Sequence, residues 1–108
     1  MNGLPEVHKK VVGLIGYGKE RSTTVSQISK LTGLGSTTVR NIVSEAVVKY
    51  GAPIGTCNEA GKGGYYIISN DIEKGDTVRN LRSRAMKILK RANAIEKLPA
   101  AEQQKFLL

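Results

Sequence analysis

Apolar residues in this chain recur first at a helical period, then briefly at a strand period, then at a helical period again. Leu4, Val7, Val11, Leu14 and Ile15 form one stripe and predict a helix over 4–15, with Pro5 in its opening turn and Gly16 and Gly18 ending it. His8 falls off that stripe and is expected at the surface. Residues 18–23, rich in Lys, Arg and Ser, read as a loop. A second helix is expected behind Thr24, with Gln27 three residues on as the returning half of a capping box. It stops at Gly33, where a positive φ is cheap only for glycine, and Ile28, Leu31 and Leu34 supply its apolar contacts. Ser36 is placed to cap a third helix, whose apolar positions 39, 42, 43, 46, 47 and 50 form a continuous stripe before Gly51 and Pro53.

The period then shortens. Residues 54–58 and 65–68 read as two strands around a glycine-rich loop, EAGKGG at 59–64, which makes a β-hairpin. Tyr65 and Tyr66 alternate faces, so one belongs to the core and the other to the exterior. Asn70 or Asp71 caps a long helix, with Glu73 placed to close a second capping box; Gly75 weakens its first turns by up to about 1 kcal/mol. Val78, Leu81, Ala85, Ile88, Ala92 and Ile95 alternate at spacings of three and four, a seam of about three heptads. Two packings fit it. The helix can lie along the domain's own core, or the seam can join two copies in a homodimer, where Ala85 and Ala92 allow close approach but bury little area. Pro99 ends the helix, and the tail 100–108 carries Phe106, Leu107 and Leu108, which either tuck back or dock on a partner. The expected architecture is mainly α with a small β-hairpin: a domain over 4–69, a long basic helix over 70–98 and a tail over 99–108.

Composition narrows the function classes. A chain of 108 residues is one domain by size. Seventeen Lys and Arg against nine Asp and Glu give a net charge of +8 and an isoelectric point near 9.8, which favours polyanionic partners. No apolar run approaches a membrane span and MNGLPEVHKK carries no signal-peptide pattern, so no membrane partner and a cytoplasmic location are expected. Cys57 is the single cysteine and His8 the single histidine, so no disulfide and no thiol metal site form within the chain. Without paired carboxylates or a nucleophile–base spacing, no catalytic residue and no cofactor is expected, and the chain is read as a non-enzyme. Gly13, Gly18 and Lys19 fit the start of a P-loop, but Glu20 stands where a magnesium-binding Ser or Thr belongs, and the segment follows a helix rather than a strand.

If Val39, Ile42, Val43, Ala46 and Val47 face inward, the 3.6-residue period turns Thr37, Thr38, Arg40, Asn41, Ser44 and Glu45 outward. That face is mostly Ser, Thr, Asn and Arg rather than the usual Glu and Lys. Arg can take guanine O6 and N7, and Asn can take adenine N6 and N7, each by two hydrogen bonds. Ser36 and Thr37 suit phosphate contacts at a helix N-terminus. Lys62, at the hairpin tip, suits a phosphate or the minor groove, and Gly63 and Gly64 permit close backbone approach. Lys19 and Arg21 are further phosphate contacts. On the long helix, Arg79, Arg82, Arg84, Lys87, Lys90 and Arg91 form a basic run with no acidic residue inside it, able to extend a nucleic-acid footprint or receive an acidic partner through residues 79–108.

The stretch VSQISKLTGLGSTTVRNIVS (25–44) resembles the helix-turn-helix of winged-helix DNA-binding proteins. The likeness covers residues 4–69, and its marks are the Ile28–Gly33–Val39–Ile42 spacing and the following GKGGYYI wing strand. Ser29 departs from it, since many such sequences carry alanine there, and is expected to loosen the contact between the two helices. GGYYIISNDIE followed by a long basic helix is similar to small winged-helix proteins of bacteriophages and prophages, which implies transcriptional control, replication initiation or DNA packaging. The resemblance implies a sequence-specific double-stranded DNA-binding protein, with helix 37–50 in the major groove and wing 59–64 on the backbone. The alternative is a protein–protein module, a loader or assembly factor, in which this fold is a scaffold and the long helix the working surface.

Overall fold

A computed structural model describes residues 3–57 and 63–99. Their order is α1 (Glu6–Gly13), a single 3-10 turn (Lys19–Arg21), α2 (Val25–Thr32), α3 (Ser36–Tyr50), β1 (Ile54–Cys57), β2 (Gly64–Ile67) and α4 (Asp71–Glu96). The protein is thus mainly helical, with a small two-stranded antiparallel sheet. It divides into two compact units between Thr77 and Val78, so the first turns of α4 belong with the helices and strands before them.

α1, shorter at both ends than the expected 4–15, buries His8, Val11 and Val12, and Leu4 and Ile15 on either side continue that face at i, i+4, i+7, i+8 and i+11, while Val7 is exposed. The apolar face is therefore rotated by one position from the expected stripe. His8, expected at the surface, is only 7% exposed, because its ring packs edge-on against Tyr50 with centroids 5.8 Å apart. α2 opens on the expected capping box: Gln27 N–H donates to Thr24 Oγ1 (3.1 Å) and Thr24 N–H to Gln27 Oε1 (2.9 Å). Its inner side is Val25, Ile28, Ser29 and Thr32, which leaves Leu31 70% exposed instead of in the core. Gly33 ends the helix at φ 75°. Ser29, expected to loosen the contact between the two helices, donates its hydroxyl to the Leu34 carbonyl and so ties α2 to the turn before α3, a bond alanine lacks. Gly35, not Ser36, is the residue before α3, and no side chain caps that helix. Val39, Ile42, Val43 and Ala46 are buried as expected, but Val47 is 38% exposed because the packed arc of α3 is centred on Val39, Val43 and Ala46. The core joins these residues to Leu4, Val11, Val12, Ile15, Ile28, Ala52 and Ile54.

β1 and β2 pair with Ile54 opposite Ile67 and Cys57 opposite Gly64, and residue 58, expected in the first strand, lies outside the described residues. The other edge of β2 is also occupied. Residues 16–23, of which 18–23 read from sequence as a loop, run along it: Ile67 N–H donates to Gly16 O (2.7 Å), Gly18 N–H to Ile67 O (2.8 Å), and Thr23 and Tyr65 exchange both backbone bonds at 2.8 Å. Such pairing depends on partners distant in sequence, so no local period announces it. It explains two glycines. A Cβ on Gly16 would run into the Arg21 carbonyl, and one on Gly64 would lie 2.5 Å from Thr23 O. Of the tyrosines, Tyr66 is the core residue, fully buried, and Tyr65 is half-buried rather than exposed. The Tyr66 hydroxyl reaches Glu73 O (3.3 Å) and Thr77 Oγ1 (3.1 Å), which in turn accepts from Thr56 N–H (3.3 Å). These bonds tie the first turns of α4 to the sheet, within the compact unit that runs to Thr77.

Candidate nucleic-acid interface

The outward face of α3 follows from its buried one. With Val39 and Ala46 fully enclosed, the helical period leaves Thr37, Thr38, Arg40, Asn41, Ser44 and Glu45 exposed, as is Ser36 in the first turn. The side chains of Thr37, Thr38, Arg40, Asn41 and Ser44 make no hydrogen bond or ion pair among the described residues. A polar face with nothing of its own to bind is available to a ligand. Its middle line is Thr37, Asn41, Ser44 and Val48, at i, i+4, i+7 and i+11. Val48, which the sequence pattern does not mark, is 84% exposed on that line. Its spacing from Asn41 and Ser44 is the signal, which the neighbouring Ala46 and Val47 mask.

Glu45 lies on the α1 side of this face. Its Oε1 lies 3.4 Å from Nε2 of the buried His8, within ion-pair range but not aligned as a hydrogen bond, and neither ring nitrogen has a hydrogen-bond partner among the described residues. The only carboxylate on α3 thus lies beside the imidazole, at the edge of the face.

Lys19 and Arg21 both lie on the 3-10 turn, but their surroundings differ. Arg21 is exposed, whereas Lys19 is half-buried beside an acidic side chain. Glu73 was expected to close a capping box on Asn70. Asn70 Oδ1 does accept Glu73 N–H (2.9 Å), but the Glu73 carboxylate turns the other way. Its Oε2 accepts Lys19 N–H (2.9 Å), and its Oε1 accepts Ser69 N–H (2.8 Å) and the Ser69 hydroxyl (2.7 Å). The Lys19 amide, with Ser69 behind it, holds this carboxyl below its ordinary value of 4.5. The carboxylate therefore caps a turn more than fifty residues upstream, a role no local motif reveals. An open groove of about 760 Å³ beside this turn is lined by Glu20, Glu73 and Asp76 as well as Lys19, a poor setting for a phosphate. Among the described residues, no group of His, Cys, Asp or Glu is arranged to hold a metal ion.

Lys62 and most of the 59–64 loop lie outside the described residues, as do residues 100–108 with Phe106, Leu107 and Leu108. Gly64 has a structural reason for its missing side chain: the close approach is made by the protein's own Thr23 backbone. On α4, Val78, Leu81, Ala85, Ile88, Ala92 and Ile95 are all exposed, as are Arg82, Arg84, Lys87, Lys90 and Arg91. Among the described residues, no helix is long and apolar enough to cross a membrane. Comparisons with protein-family models, with curated proteins and with solved structures returned no match.

Proposed function

We propose that this chain is a sequence-specific double-stranded DNA-binding protein of the winged helix-turn-helix type. α2, the turn at 33–35 and α3 form the helix-turn-helix; α3 enters the major groove through 37–50, and the loop 59–64 lies on the DNA backbone as the wing. The observation that carries this reading is the outward face of α3, where Thr37, Thr38, Arg40, Asn41 and Ser44 stand exposed and without internal polar partners. Arg40 takes a guanine, Asn41 an adenine, and Val48 meets a thymine methyl. No side chain caps the start of α3, so its first amides, with Ser36 and Thr37, are open to a phosphate. Arg21 contributes a backbone contact, and Lys19 less, because of the carboxylates around it. The likeness to small winged-helix proteins of bacteriophages and prophages extends the proposal to control of transcription, or initiation of replication or packaging, in a phage or a bacterium.

Selection of duplexes from a random pool, followed by binding titrations, tests it. Arg40→Ala is expected to weaken binding to the selected site by roughly 1–3 kcal/mol and to leave random duplex almost unchanged. Affinity should fall steeply with salt, by about 0.9 log unit per log unit of salt for each phosphate neutralised. Equal losses on both duplexes would remove base reading by Arg40. The exposed apolar residues of α4 favour a second reading, a protein–protein module for which this fold is the scaffold. An absence of retention on duplex DNA at low salt selects that reading instead.

A further inference from the structure

α4 from Val78 onward carries an apolar arc with no cover among the described residues. Val78, Ala85 and Ala92 occupy the first position of a heptad and Leu81, Ile88 and Ile95 the fourth, and every one is exposed. Leu89 widens the arc on one side. A face of this length left in water is a binding surface that lacks its partner. Phosphates of a duplex would engage the arginines and lysines around the arc but leave the arc itself wet.

The flanking charges identify the occupant. One flank of the arc carries Arg84 and Arg91, the other Arg82, Leu89 and Glu96. Glu96 is the only acidic residue from 77 to 97. When two such helices run parallel and in register, each residue of the first flank faces the residue five positions later on its partner. Arg84 then meets Leu89, and Arg91 meets Glu96, so each ridge of the pair has one attraction and no like-charge contact. In an antiparallel pair the flanks meet their own kind: Arg82 then faces Glu96 at both ends, but Arg84 also faces Arg91 at both ends, so each attraction is offset by a like-charge contact that the parallel pair lacks. We propose that the partner of this face is a second copy of the same chain, parallel and in register, joined by the Val78–Ile95 seam and closed by two Arg91–Glu96 ion pairs. This inference goes beyond the DNA-binding reading and does not need it; if that reading holds, the two-fold axis presents two α3 helices to an inverted repeat.

Sedimentation equilibrium of the full chain, nuclease-treated and at low salt, tests the pairing without DNA, so its failure leaves the DNA-binding reading standing and the reverse is equally true. The parent should sediment as a dimer and Ile88→Asp as a monomer, with the circular dichroism of the first unit retained because Ile88 is exposed. Arg91→Glu and Glu96→Arg should each weaken the dimer about 5-fold, and the double reversal should return it to the parent value. A parent that stays monomeric up to about 1 mM, or a dimer indifferent to Ile88→Asp, overturns the seam. A dimer tightened by Arg91→Glu, which would then face Arg84, overturns the parallel arrangement, as would dissociation constants unchanged in all three charge variants.

Discussion

α3 and the part of α4 beyond Thr77 are both long helices with an apolar stripe, and they differ in which side reaches the solvent. α3 buries Val39, Ile42, Val43 and Ala46 and turns a Thr, Asn, Arg and Ser face outward. α4 leaves Val78, Leu81, Ile88 and Ile95 exposed along with its arginines. In α3 the apolar side has been spent on the fold, so recognition falls to the polar side. In α4 the apolar side is itself the unspent surface. The same amphipathic pattern thus marks opposite faces as functional, and burial decides between them.

The sharpest way to break this contrast is to make the same substitution in both helices. Ile42→Ala should destabilise the first unit by about 2–5 kcal/mol, by lost transfer and a residual cavity, while Ile88→Ala should stay within about 0.5 kcal/mol for the same unfolding transition. Denaturant titration of a first-unit signal checks it, and equal losses would mean that α4 is packed as α3 is. Helix starts make a smaller contrast. Thr24→Ala removes half of a formed capping box and should cost about 1 kcal/mol, whereas Ser36→Ala, at a position that caps nothing, should change thermal stability by less than about 0.5 kcal/mol.

A third variant asks whether the first turns of α4 behave like α3. Tyr66→Phe removes the hydroxyl shared by Glu73 O and Thr77 Oγ1 and should cost about 0.5–1.5 kcal/mol in chemical denaturation. No loss would place those turns with the exposed half of the helix. The smallest effect is a pH dependence. The Glu73 carboxyl is held below 4.5 in the folded chain, so its stabilisation is fully present above that value and is lost as pH falls through the folded value. Glu73→Gln should therefore have a lower melting temperature than the parent at neutral pH, and the two curves should converge in acid. A gap of constant size from neutral to acid pH would contradict a charged cap.

What the sequence made legible is what adjacent residues decide. Thr24 with Gln27, Gly33 and Gly51 at positive φ, and the hairpin after α3 all rest on interactions within a few positions. The outward face of α3 was legible because four buried residues fix the phase of a helix. His8 falls off the stripe through Leu4, Val7, Val11 and Leu14, but the buried face is turned by one position and includes it, with its ring edge-on to Tyr50. Leu31 is misplaced as well: an apolar side chain on a two-turn helix whose inner line passes through Ser29 and Thr32. The reach of Glu73 to Lys19, and the pairing of residues 16–23 with β2, join segments that only the folded chain brings together.

That pairing has a kinetic consequence. β2 is held on one edge by β1, a few residues before it, and on the other by residues 16–23, some fifty residues upstream. The hairpin closes a short loop, whereas the second ladder must wait until the three helices have brought Gly16 and Thr23 within reach of Ile67 and Tyr65. Docking of the 16–23 segment is thus a late event in folding and an early one in unfolding. The backbone amides of Tyr65 and Ile67, which donate to Thr23 and Gly16, should exchange with solvent deuterium whenever that segment lifts, while the helical core behind them stays closed.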